Sequence, residues 1–83
     1  MAVLHLIRRP NDRLAFETAG RQGPEATVLL IQDGVRARAP EGLGVVYASA
    51  DDVQARGVKC AYPLVETAKI CELIAGHERV FVW

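Results

Sequence analysis

Cys60 is the one residue of this chain that could do covalent chemistry, because it sits beside a cation, Lys59, and a thiolate is the nucleophilic form of the side chain. The chemistry this suggests is nucleophilic attack by a thiolate. The competing structural reading is a small, half-buried hydrophobe. No catalytic residue is assigned, and Cys60 is the only candidate. Cys71 falls with Ile70 and Ile74 on one helical face, which predicts an inert, buried thiol. The eleven-residue spacing of the two cysteines fits neither a zinc motif nor a disulfide scaffold. His5 lies between apolar neighbours, and only His77 and scattered acids could join it on a metal. It reads as a hydrogen-bonded core or interface histidine, and no metal or cofactor is expected.

Polar residues gather at the ends of apolar runs. Asp33 and Gly34 follow Val28-Leu29-Leu30-Ile31, where open α/β sheets bind ligands. Turn chemistry alone also accounts for them, with Gly34 supplying an unusual backbone conformation and Asp33 capping the turn. Arg8, Arg9 and Arg13 cluster after the first apolar run and could hold an anionic partner surface; a solvated cationic loop is the simpler reading. Phe81 and Trp83 alternate on one side of the terminal Val80–Trp83 run, as core or as an interface edge, where aromatic residues are enriched.

These residues must be positioned by alternating strands and helices. The pattern predicts strands at 2–7, 27–32, 44–48, somewhere in 58–65, and 80–83. The four consecutive apolar residues Val28 to Ile31 predict a strand covered on both faces. Asn11 or Asp12 caps a helix to about Arg21 with Leu14, Ala15, Thr18 and Ala19 on its apolar face. Val35 to Ala39 reads as a short helical turn stopped by Pro40. Ser49 or Asp51 caps a helix over 52–56 that Gly57 ends, and Thr67 starts the last helix, with Gly76 as its stop. Strand–helix alternation predicts an α/β fold with a largely parallel sheet and right-handed crossovers.

The 83 residues predict one domain, 1–83, without repeat or linker. Ten basic and ten acidic residues cancel, so no large positive field favours nucleic acid. No apolar run approaches the ~20 residues of a membrane span. Arg8 and Arg9 follow the first apolar stretch rather than precede it, against a secretory signal; a cytoplasmic protein is expected. With 51% apolar residues, so short a chain is expected to place some of them against another chain. A Gly-rich phosphate loop or a Ser-His-Asp set is not found.

Val3-Leu4-His5-Leu6-Ile7-Arg8-Arg9 resembles the start of the DsrH/TusB family of sulfur-relay proteins. Gln32-Asp33-Gly34-Val35 after the apolar run, Val46-Tyr47-Ala48, the segment Asp52 to Gly57 ending Ala-Arg-Gly, and Val82-Trp83 extend the resemblance in order over nearly the whole chain. It implies a three-layer α/β/α, DsrE-like (flavodoxin-like) fold with a mostly parallel five-stranded sheet. It also implies a non-catalytic subunit of a TusBCD-like complex, which carries persulfide sulfur toward 2-thiolation of the tRNA wobble uridine. The partners implied are TusC/TusD-like (DsrE/DsrF-like) sister proteins or further copies of this chain, with tRNA touched only indirectly. Some DsrH relatives carry a cysteine in the first helix; the matching position here is Thr18, which cannot form a persulfide. The alternatives are a direct sulfur carrier using Cys60, a subunit of a DsrEFH-type sulfur-oxidation complex, and a homodimeric α/β module without a sulfur role.

Overall fold

β1 (Val3–Ile7), β2 (Ala26–Leu30), β3 (Val46–Ser49), β4 (Leu64–Val65) and β5 (Arg79–Val82) form an all-parallel sheet in the order β4-β3-β2-β1-β5 in the computed structural model, which describes residues 2–83. Three helices connect them: α1 (Arg13–Gln22), α2 (Ala50–Arg56) and α3 (Thr67–Gly76). The chain steps one way from β1 to β4, then returns across the whole sheet to β5. Crossovers of one hand that travel in opposite directions must cover opposite faces. Accordingly α1 and α2 share one face and α3 has the other, so the molecule is an α/β protein built as three layers.

Strand alternation divides the apolar residues between those layers. Ile7, Val28, Leu30 and Ala48 face α1 and α2, where they pack with Ala15, Phe16, Ala19 and Val53. Leu4, Leu29 and Val65 face α3 and pack against Leu73 and the partly buried Ile70. β1 and β2 are central and covered on both sides, which is why Val28 to Ile31 needs no polar member. β5 is different: all four of its residues are exposed, and Val82 reaches 62% exposure.

Helix ends follow side-chain chemistry. The Asp12 carboxylate accepts from the Ala15 N–H at 3.2 Å, and the Ser49 hydroxyl accepts from the Asp52 N–H at 3.4 Å, each satisfying a donor the helix leaves orphaned. Gly57 closes α2 in the left-handed region at φ 60°, which a side chain would disfavour. His77 closes α3: its Nδ1–H donates to the Leu73 carbonyl at 2.6 Å, and its Nε2 accepts from the Thr27 hydroxyl at 3.3 Å. This tautomer is assigned from the partners.

Several expectations are corrected. Leu14 is 60% exposed, and α1 buries Ala15, Phe16 and Ala19, because the larger Phe16 ring takes the sheet side. Cys71 is exposed, since the stripe that faces the sheet is Ile70 and Leu73 and position 71 turns away from it. The turn expected at 35–39 is a 3-10 turn at Gln32–Arg36. The fourth strand is only Leu64–Val65: Pro63 lacks the N–H a ladder needs, but its carbonyl still accepts from Ala48 at 3.0 Å. Among the described residues no helix is long and apolar enough to cross a membrane.

Candidate functional site

The Gln32–Arg36 turn is pressed onto the carboxyl end of β1. A Cβ at Gly34 would lie 2.1 Å from the Ile7 carbonyl oxygen, and that oxygen also accepts from the Ile31 N–H at 3.0 Å. Gly34 is therefore required by close approach. The unusual backbone conformation expected of it belongs to its neighbour Gln32, at φ 51°. Contrary to the expected cap, the Asp33 carboxylate is directed at guanidinium groups, Arg36 of the turn at 4.0 Å and Arg56 of α2. The carboxylate accepts from Arg56 Nε at 2.8 Å, and the same guanidinium donates to Asp52 at 3.2 Å. Asp33 and Arg56, the charged members of the Gln-Asp-Gly-Val and Ala-Arg-Gly segments, thus form one ion pair.

The Arg56 hydrogen bond, reinforced by its charge, holds the Asp33 carboxyl below its ordinary value of 3.8. A carboxyl lowered in the folded state contributes stability that is complete above its unfolded pKa and lost as pH falls through the folded one. Asp33→Asn is expected to flatten slightly the acid limb of stability against pH, below about pH 4, in urea titrations at stepped pH. The effect is small because Asp33 is exposed.

Arg8, Arg9, Gln32 and Asp33 line a hollow at this sheet edge. Its cations have internal partners: Arg8 Nε donates to the Trp83 carbonyl at 2.6 Å, and Arg9 pairs with Asp12 at 3.2 Å. Arg13 pairs with Glu17 at 2.9 Å on the outside of α1. The Thr18 hydroxyl, also on α1, donates to the Leu14 carbonyl at 2.8 Å.

Cys60 lies elsewhere, in the loop after α2, half-buried. It lines a cleft of about 460 Å³ with Arg36, Arg38, Lys59 and Tyr62. Tyr62 frames the cleft by accepting, through its hydroxyl oxygen, the Ala39 N–H at 2.7 Å. Lys59 was legible beside the thiol. Arg36 and Arg38 were not, since they come from the separate connection between β2 and β3; the alternating Arg-Ala-Arg was their only signal. Three cations, Arg36, Arg38 and Lys59, line the same cleft as the thiol, and Arg36 also lies 4.0 Å from the Asp33 carboxylate.

A third arrangement joins residues that sequence reading kept apart. His5 is fully buried on β1 and faces β5. The Trp83 indole N–H donates to His5 Nδ1 at 3.0 Å, and His5 Nε2 lies 2.6 Å from Gln22 Oε1. An indole N–H can only donate, so Nδ1 accepts and Nε2 carries the hydrogen given to Gln22. Phe81 stacks on the imidazole at 5.3 Å between ring centroids. Phe81 and Trp83 thus join β5 to β1, while His77 lies on the opposite face of the sheet, against Thr27. Among the described residues no cluster of His, Cys, Asp or Glu is grouped to hold a metal. Compared with family models and with curated proteins, the chain matches none.

Proposed function

We propose that this chain is a subunit of a TusBCD-like sulfur-relay complex, supporting persulfide transfer toward 2-thiolation of the tRNA wobble uridine without itself carrying the sulfur. The observation that carries this reading is the Asp33–Arg56 ion pair at 2.8 Å. The two segments on which the family resemblance chiefly rests meet there, and their charged side chains are engaged in holding the Gln32–Arg36 turn to α2. Residues used to fix the scaffold in this way suit a structural subunit. Thr18 supports the same assignment, because its hydroxyl is tied to the helix backbone at the position where sulfur-carrying relatives have a thiol.

The test is reconstituted thiolation with the sister proteins, a persulfide donor and tRNA. Omitting this chain is expected to reduce the product at least tenfold, while Cys60→Ser supports the wild-type rate, as a substitution outside the transfer chemistry should. Loss of thiolation in Cys60→Ser would overturn the non-carrier assignment.

The cationic cleft favours a second reading, in which Cys60 is itself a sulfur carrier. Its thiolate would attack the outer sulfur of a donor persulfide, forming the Cys60 S–S bond as the donor S–S bond breaks and leaves a donor thiolate. Intact-mass analysis after incubation with a persulfide donor decides between the readings: an adduct of about 32 Da, lost in Cys60→Ser, supports the carrier, and an unmodified chain supports the scaffold role.

A further inference from the structure

We infer that the cleft between the β2–β3 connection and the loop from α2 to β4 binds a small dianion of the phosphate class, held by Arg38 and Lys59. Such a site stands whether or not Cys60 carries sulfur, because it follows from the charge and shape of the cleft alone.

The chain has ten lysines and arginines, and most are tied down within the fold. Six meet a carboxylate within 4.0 Å, and Arg8 donates to the Trp83 carbonyl. Among the described residues, only the side chains of Arg38, Lys59 and Arg79 have neither an ion pair nor a hydrogen bond. Arg79 stands on the outer strand β5, whereas Arg38 and Lys59 line one cleft, which no acidic residue lines. Arg36 lines it too, but its charge is compensated. It lies 4.0 Å from Asp33, and with Arg56 and Asp52 they make a balanced group of two arginines and two aspartates. The uncompensated charge of the cleft is therefore that of Arg38 and Lys59, one positive charge each, which a dianion matches.

The shape suits a small ligand. The cleft encloses about 460 Å³, within the range of small-molecule sites. Its two walls are fastened together, because the Tyr62 hydroxyl oxygen accepts the Ala39 N–H at 2.7 Å. Backbone donors supplement the cations. The N–H groups of Lys59, Cys60 and Ala61 meet no acceptor of the chain among the described residues, which leaves them as donors to a ligand. Phosphate oxygens are held by such combinations of cationic side chains and backbone N–H groups. A carboxylate monoanion would leave one of the two cations uncompensated. A polyanion such as nucleic acid is drawn by a broad positive field, and the net charge of this chain is zero. The excess charge is confined to one concavity, so its complement is a small ion.

Cys60 lies in the cleft and Cys71 is exposed on α3, so the two thiols serve as probe and internal reference. The experiment is alkylation of the full chain by uncharged iodoacetamide, with and without pyrophosphate, at an ionic strength held constant with sodium chloride. Peptide mass spectrometry reads the rate at each cysteine. About 10 mM pyrophosphate is expected to slow modification of Cys60 about tenfold, as mass action requires of a site with a dissociation constant of about 1 mM, and to leave Cys71 unchanged. Arg38→Gln combined with Lys59→Gln removes both charge-assisted contacts and is expected to cut the protection to about twofold or less. Both side chains are exposed and unpartnered, so this variant should keep the wild-type unfolding midpoint in urea. No protection of Cys60, equal slowing of both cysteines, or full protection in the double variant overturns the inference. Protection by a short oligonucleotide but not by pyrophosphate overturns it too, because the ligand would then be a polymer backbone. If iodoacetamide does not reach Cys60 even without ligand, phosphorus NMR of pyrophosphate titrated with the chain decides. Line broadening that is lost in the double variant supports the site, and unchanged lines overturn it.

Discussion

Gly34→Ala is expected to lower the unfolding free energy by about 3 kcal/mol or more, at the upper end of what overpacking costs, because nothing near the new methyl can yield cheaply. The atom it meets is a backbone oxygen, the Ile7 carbonyl, at 2.1 Å. Either β1 or the Gln32–Arg36 turn must move. Moving the turn breaks the Ile31 N–H bond to Ile7 and disturbs the Gly34 N–H bond to the Ile31 carbonyl, at 2.8 Å. It also carries Asp33 away from Arg56. Gly20→Ala makes a sharp contrast. Gly20 lies inside α1, where an added methyl would meet only the Leu43 side chain, at 3.8 Å. There the substitution should stabilise by about 0.5–1 kcal/mol through helix propensity. Urea unfolding followed by far-ultraviolet circular dichroism measures both. Equal and small effects at the two positions would remove the close approach from the account of why this turn needs glycine.

How far the sequence reveals this architecture depends on the range of the forces involved. Val28 to Ile31 announced a strand buried on both faces because an unbroken apolar run leaves no side for water. Asn11 or Asp12, Ser49 or Asp51, and Gly57 announced helix ends because caps act within three residues of the backbone they satisfy, and the structure uses Asp12, Ser49 and Gly57. Cys71 and Leu14 were misplaced for a related reason. Helical periodicity gives a stripe about a third of the circumference wide, and which edge of it touches the sheet is decided by the partner surface. The candidate site was less legible still. The Asp33–Arg56 pair spans 23 residues, and the Trp83–His5 bond spans 78. Both exist only because the strand order places β5 beside β1 and α2 beside the Gln32–Arg36 turn. The residue types were visible in the sequence, but their meeting was not, because periodicity carries no information on which strands become neighbours.

His5→Ala should destabilise the fold by about 3 kcal/mol, because it removes a fully buried side chain and deprives the Trp83 indole N–H of its acceptor. The two contributions separate with a second variant. Asparagine places its amide oxygen near the position of Nδ1 and can still accept from Trp83, although it cannot reach Gln22. Gln22 belongs to an exposed residue, so its freed oxygen turns to water at little cost. His5→Asn is therefore expected to recover about half of the stability lost in His5→Ala, as the hydrogen-bonding share of the loss. Trp83 is the only tryptophan in the chain, and its fluorescence reports its surroundings directly. Its emission should shift to the red in His5→Ala and stay close to wild type in His5→Asn. If both variants lose the same stability and shift the emission equally, the ring's volume and its stacking on Phe81 hold β5 to β1, and the indole hydrogen bond contributes little. If His5→Asn separates from His5→Ala as expected, the buried imidazole is the polar link that sets β5 against β1. The register of the exposed outer edge is then fixed from inside the molecule, by a histidine that never touches solvent.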